Sequence, residues 1–119
     1  MVSQRAPRVP SPVSIDRQKV TEAAQKLAAK GQLDKAVVEY QRVLREDPND
    51  VRVLLKVGDL QVRMQTPAAA ADTYQRVAAL YEQQGLHQKA IAVYKQILQI
   101  DPSRDALHLK LADLYVRLG

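Results

Sequence analysis

The chain repeats itself. Displaced by 54 residues, segment 31–65 falls on segment 85–119 with 13 of 35 positions identical, where composition alone gives about three. Gly31 falls on Gly85, Lys35 on Lys89, Ala36 on Ala90, Tyr40 on Tyr94 and Leu44 on Leu98. Asp47-Pro48 falls on Asp101-Pro102. Further on, Leu55, Lys56, Asp59, Leu60, Val62 and Arg63 fall on Leu109, Lys110, Asp113, Leu114, Val116 and Arg117. A weaker offset of 34 residues puts Ala36, Tyr40 and Val43 on Ala70, Tyr74 and Val77, and Gly31 on Gln65. A unit this short cannot bury its apolar face alone, so neighbouring copies have to stack.

The residues that punctuate the repeat are helix punctuation. Gly31 and Gly85 suit helix ends, where a positive φ is needed. Pro48, Pro67 and Pro102 each follow Asp or Thr, the pattern of an N-cap with proline in the first turn. Six helices are predicted, near 16–30, 33–46, 49–64, 67–84, 87–100 and 103–118. Val37, Tyr40, Val43 and Leu44 form one apolar stripe; Ala90, Ile91, Tyr94, Ile97 and Leu98 form another. Phe and Trp are absent, so Ala, Leu, Val and five Tyr build the core, which favours close-packed helices over a sheet. Short connections make neighbours antiparallel. The expected fold class is all-α, made of antiparallel helix-turn-helix repeats.

Residues 1–15, MVSQRAPRVPSPVSI, form a separate proline-rich tail, with the repeat domain at 16–119. Pro7, Pro10 and Pro12 forbid a helix there and spoil the amphipathic helix of a transit peptide, despite Arg5, Arg8 and three Ser. Ser11-Pro12 has the form of a phosphorylation site, although a loose tail explains it as well. No apolar run reaches signal-peptide or membrane-span length, so the expected location is the cytoplasm. The formal charge is +5, of which Arg5 and Arg8 supply two. Elsewhere the charges interleave, as in Asp34-Lys35 and Arg45-Glu46-Asp47, and describe a solvated mixed surface. Weak nucleic-acid binding by a basic surface stays open as an alternative.

Catalytic chemistry has no foothold. His87 and His108 fall on different helices without a partner motif. Glu46, Asp47 and Asp50 cluster where capping explains them, and no Gly-centred calcium loop follows. The glycine spacing fits no phosphate-binding loop, and Cys is absent, which removes thiolate metal sites and disulfides. No enzyme, metal or cofactor is expected.

These residues together resemble the tetratricopeptide repeat, whose unit is a helix-turn-helix of roughly 34 residues. Residues 17–50 fit from the turn onward through Gly31, Ala36, Tyr40, Leu44 and Pro48. Residues 71–104 fit through Tyr74, Tyr81, Gly85, Ala90, Tyr94, Leu98 and Pro102. Segments 54–64 and 107–119 resemble first helices, with Gly58 and Ala112 at the small-residue position. The resemblance implies an α-solenoid with units at 17–50, at 51–84 overlapping 71–104, and a first helix at 105–119. Helix 67–84 carries both first-helix and second-helix signatures. It is therefore expected to be longer than its neighbours and buried on two faces.

In this family the first helices line a concave groove that takes a peptide, which implies a non-catalytic scaffold for a protein or peptide partner. The implied lining is Gln18, Thr21 and Gln25; then Arg52, Leu55, Asp59, Val62 and Arg63; then Ala106, Leu109, Asp113, Val116 and Arg117, with Lys56 and Lys110 at the edge. Chaperone-linked members hold a C-terminal carboxylate with a lysine and asparagine clamp; Thr21 and Gln25 stand at the corresponding first-helix positions here. The stripe Leu107, Leu111, Leu114, Tyr115 and Leu118 has no following helix to cover it. It therefore implies either a longer array, of which this is the N-terminal end, or self-association into a homo-oligomer. The tail is a candidate occupant of the chain's own groove.

Overall fold

The computed structural model describes residues 15–118; the tail, with its expected place in the groove, and Gly119 lie outside the described residues. Among them are six helices and no strand: α1 (Arg17–Ala29), α2 (Leu33–Glu46), α3 (Val51–Arg63), α4 (Pro67–Gln83), α5 (His87–Ile100) and α6 (Asp105–Leu118). The principal packing is between helices successive in the chain. The radius of gyration is 17.2 Å. A globule of this length has about 13 Å, so the molecule is a drawn-out stack. No helix among the described residues is long and apolar enough to cross a membrane.

Two kinds of turn alternate unevenly and set the order of the stack. The α1/α2, α3/α4 and α4/α5 turns each carry one left-handed residue: Gly31 (φ 80°), Gln65 (φ 61°) and Gly85 (φ 76°). All three close in the same way. Gly31 N–H donates to the Ala28 carbonyl and Gln32 N–H to Leu27; Gln65 and Thr66 donate to Val62 and Gln61; Gly85 and Leu86 donate to Glu82 and Tyr81. The six-to-one bond satisfies a carbonyl that the helix end leaves open. The other turns, α2/α3 and α5/α6, use the repeated Asp-Pro. Asp47 accepts from Asn49 N–H and Asp101 from Ser103 N–H, each at 3.3 Å.

The prolines act differently from the expectation. Only Pro67 occupies a first helical position. Pro48 and Pro102 lie in the turn itself, so α3 and α6 start two residues later than predicted, at Val51 and Asp105. Asp50, rather than Asp47, caps α3 through Val53 N–H at 3.1 Å. Thr66 does not cap α4 with its side chain; its hydroxyl donates back to the Gln61 carbonyl at 2.9 Å.

The core has two parts that meet at α3. Val20, Ala24, Ala36, Val37, Tyr40, Val43, Val53, Val57 and Leu60 bind α1, α2 and the back of α3. Leu54 faces the other way and joins Ala70, Ala71, Tyr74, Val77 and Ala78 of α4 with residues of α5 and α6. At 17 residues α4 is the longest helix, and it packs on both α3 and α5, as its double signature predicted. Its small residues Ala70, Ala71 and Ala78 are completely buried and let the flanking axes approach. Both Asp-Pro turns are tied to it. Arg76 donates to the Pro48 carbonyl at 2.8 Å. Arg104 bonds the Ala68 carbonyl, Gln75 and the Asp72 carboxylate from the other side.

Candidate functional site

On α3, Arg52, Lys56, Asp59 and Arg63 recur at intervals of four, three and four residues, so they form one stripe along the axis. The stripe faces α1. Between the two helices runs a groove with two hollows, of about 400 Å³ and 280 Å³. Gln25, Tyr40 and Lys56 line both, which makes them two ends of one channel. Thr21, Arg52, Arg17 and Asp50 line one end; Ala28, Ala29, Asp59, Leu60 and Arg63 line the other.

Tyr40 of α2 is the floor. Its residue is only 3% exposed, and burial holds its hydroxyl above the usual phenol range. It is therefore a neutral group able to donate a hydrogen bond. The counterparts of Tyr40 are committed elsewhere. Tyr74 donates to the Asp59 carboxylate, and Tyr94 donates to Glu82 at 2.5 Å. Burial first, and then these carboxylates, push both phenols upward. Gln25 stands in α1 where Asp59 stands in α3, an offset of 34 residues, so a neutral amide takes the carboxylate's place in the groove.

The groove is electropositive. Arg17 is ion-paired to Asp50, with Asp47 at 3.6 Å, so its charge is balanced at the mouth. Asp59 is bound by the Tyr74 hydroxyl at the α3/α4 joint. Among the described residues, Arg52, Lys56 and Arg63 make no ion pair. Three cations thus look across at Gln25, Thr21 and Tyr40.

The structure therefore brings together Thr21, Gln25, Arg52, Lys56, Asp59 and Arg63. The remaining sequence expectations go elsewhere. Gln18 does not line the groove; its amide bonds Glu22 at 3.3 Å along the surface of α1. Leu55 trails the cationic stripe by about 70° at about 100° per residue, and packs on the α4 side of the core. Val62 trails it likewise, and neither it nor Leu55 lines either hollow. The α6 residues Ala106, Leu109, Lys110, Asp113, Val116 and Arg117 do not line this channel either. Lys110 is bound to Glu82 at 3.2 Å, and Arg117 to Asp113 at 3.2 Å.

The stripe expected to lie uncovered on α6 is also corrected. Leu107 (5% exposed) and Leu114 (1%) are core residues, and Leu111 packs against the same cluster, because this side of α6 rests on α5. Tyr115 and Leu118 do stay exposed, and the Lys95 ammonium sits 5.5 Å from the Tyr115 ring centre. The apolar residues that face solvent most fully are Leu109 (75%) and Val116 (78%). Tyr40, Ala28, Ala29, Leu60, Arg17, Asp50 and Val53 are groove residues that sequence reasoning missed. The offset that maps Tyr40 on Tyr74 and Gln25 on Asp59 was the signal that could have found the floor.

Sequence models of the tetratricopeptide repeat match residues 71–114 and 52–83, and a TPR repeat model matches residues 24–65. No curated protein matches the chain. Solved structures do. The Yersinia enterocolitica type III secretion chaperone SycD, in complex with a peptide of the translocator YopD, is 14% identical with a TM-score of 0.52, over 92% of this chain and all of that one (100%). A crystal structure of MamA is 24% identical with a TM-score of 0.41 over 81% of this chain. The chain spans 64% of that MamA chain, a little under two thirds. The first TPR of Spaghetti (RPAP3), bound to an HSP90 peptide, is 19% identical with a TM-score of 0.46, over 87% of this chain and 96% of that one. Three matches that together run from residue 24 to residue 114, on an all-helical stack of antiparallel pairs, make this chain a member of the tetratricopeptide repeat family.

Proposed function

We propose that the chain is a non-catalytic, cytoplasmic interaction module whose α1/α3 groove holds an extended, acidic segment of a partner protein. The observation that carries this is the stripe of Arg52, Lys56 and Arg63, without ion pairs among the described residues, facing a buried phenol and an amide across a preformed channel. Carboxylates of the segment would meet the guanidinium and ammonium groups, and Tyr40 and Gln25 would supply hydrogen bonds at the floor. A groove walled by packed helices needs little ordering on the protein side, which favours binding. The peptide in the SycD complex supports a segment-binding use of this fold.

The charge pattern also weighs against the chain's own tail as occupant, since Arg5 and Arg8 would be set against three cations. Nucleic acid is a weaker alternative, because the stripe holds three cations and an acid, with Arg17 already neutralised. Selection of displayed random peptides on the whole chain tests the proposal. Enrichment of Asp and Glu, lost with Lys56→Glu and Arg63→Glu, is expected; enrichment without acids, or indifference to both substitutions, contradicts it.

A further inference from the structure

We propose that the outward face of α6 is a docking site for a single tyrosine-bearing helix of a partner protein, seated on α6 as α4 is seated on α3. This goes beyond the groove and lies on a different helix, so the two ideas fail separately.

The 54-residue repeat maps α3 on α6, and the structure shows which faces correspond. The back of α3, through Val53, Val57 and Leu60, is buried with α1 and α2. Its counterparts Leu107, Leu111 and Leu114 pack into the cluster shared with α5. The front of α3 carries Leu55, Gly58, Asp59 and Val62. There α4 lays the Tyr74 ring on Gly58 and gives its hydroxyl to Asp59.

On α6 the same chemistry stands in solvent. Leu109 and Val116 are the apolar flanks, Ala112 is the exposed small residue, and Asp113 is the acceptor. Asp113 pairs only within its own helix, with Arg117, among the described residues. Two apolar flanks, a small seat and a carboxylate are the imprint of a tyrosine helix, repeated without the helix. His108 stands where Leu54 is fully buried, so this face is wetter than α3's and its occupant sets a polar atom opposite the imidazole.

A second copy fits less well. The Ala70, Tyr74 and Ala78 face of α4 is already consumed inside the core, so a second copy has no spare helix of this kind. Pairing α6 with another α6 would bring two Asp113 carboxylates to the seam with no tyrosine donor.

The probe is a synthetic peptide of residues 66–86, α4 with its caps, added to the isotope-labelled whole chain. A second version is locked by an i,i+4 lactam on the face opposite Tyr74, because isolated helices of this length are marginal. Saturable amide shifts are expected at Leu109, Ala112, Asp113 and Val116. Tyr74→Phe in the peptide should weaken binding at least about threefold, and Leu109→Asp in the chain should abolish it. Leu109 is exposed, so that variant retains the fold. The proposal is overturned by no saturation with the locked peptide up to about 1 mM, or by binding indifferent to Leu109→Asp. It is equally overturned by a dimer in light scattering that Leu109→Asp dissociates, which would assign the face to a second copy.

Discussion

Gly58 of α3 lies so close to Tyr74 of α4 that a Cβ on it would stand 2.8 Å from the ring carbon Cε1. The ring has no room to swing aside, because Tyr74 is fully buried and its hydroxyl is bound to Asp59. Gly58→Ala therefore destabilises the chain. Overpacking costs about 1–3 kcal/mol, which exceeds the roughly 1 kcal/mol that alanine gains over glycine in a helix. Ala112→Gly on exposed α6 is the control and loses only helix propensity, about 1 kcal/mol. Urea unfolding of both variants measures the difference, and a Gly58→Ala chain more stable than the parent contradicts the packing described.

Gln65 occupies the left-handed position that Gly31 and Gly85 hold in the sister turns, and its side chain makes that conformation costly. Gln65→Gly relieves this strain and is expected to raise stability by about 0.5–1 kcal/mol. Gly31→Ala and Gly85→Ala are expected to lower it by about 1–2 kcal/mol, although space around both is open. Thermal unfolding checks the opposite signs. A destabilised Gln65→Gly would mean that the glutamine side chain contributes more than its backbone costs.

The acid and alkaline limits of stability have separate causes. Hydrogen bonds from Ser103, then from Arg104, hold the Asp101 carboxyl below its ordinary 3.8. A group shifted down stabilises the fold above its unfolded value and loses that effect as pH falls through its folded value. The α5/α6 turn is thus expected to loosen below pH 3.8 and not near neutrality. Asp101→Asn should remove this part of the acid sensitivity. Tyr74 and Tyr94 are shifted the other way, from an ordinary 10.0. Their contribution is complete below pH 10.0 and declines above it. Phenolate absorbance rising together with loss of helical signal checks the alkaline limit, and full titration of both phenols in the intact fold contradicts it.

Much of the architecture is legible in residue spacing, and the reason is local. Gly31 and Gly85 mark turns because few other residues adopt a positive φ without strain. The long, doubly packed α4 follows from a helix with two overlapping signatures. Pro48 and Pro102 misplaced two helix starts because an Asp-Pro pair serves equally in a turn, and the choice rests on Asp50 and Arg104 farther on. The groove was half legible. Arg52, Lys56, Asp59 and Arg63 share a face by periodicity alone. Which helix lies opposite, and that Tyr40 rises into the gap, depend on how α1, α2 and α3 stack, which no single stripe records. The two α6 flanks were assigned to the groove because the repeat was read as one continuous inner surface; packing places them on their own face.

The most direct test uses one acidic peptide from the displayed-peptide selection, titrated into the isotope-labelled whole chain while amide shifts are followed residue by residue. Shifts that saturate together at Thr21, Gln25, Arg52, Lys56 and Arg63, and that vanish with Lys56→Glu, are expected. Shifts confined to α5 and α6, or an affinity unchanged by Lys56→Glu, would contradict a binding groove between α1 and α3.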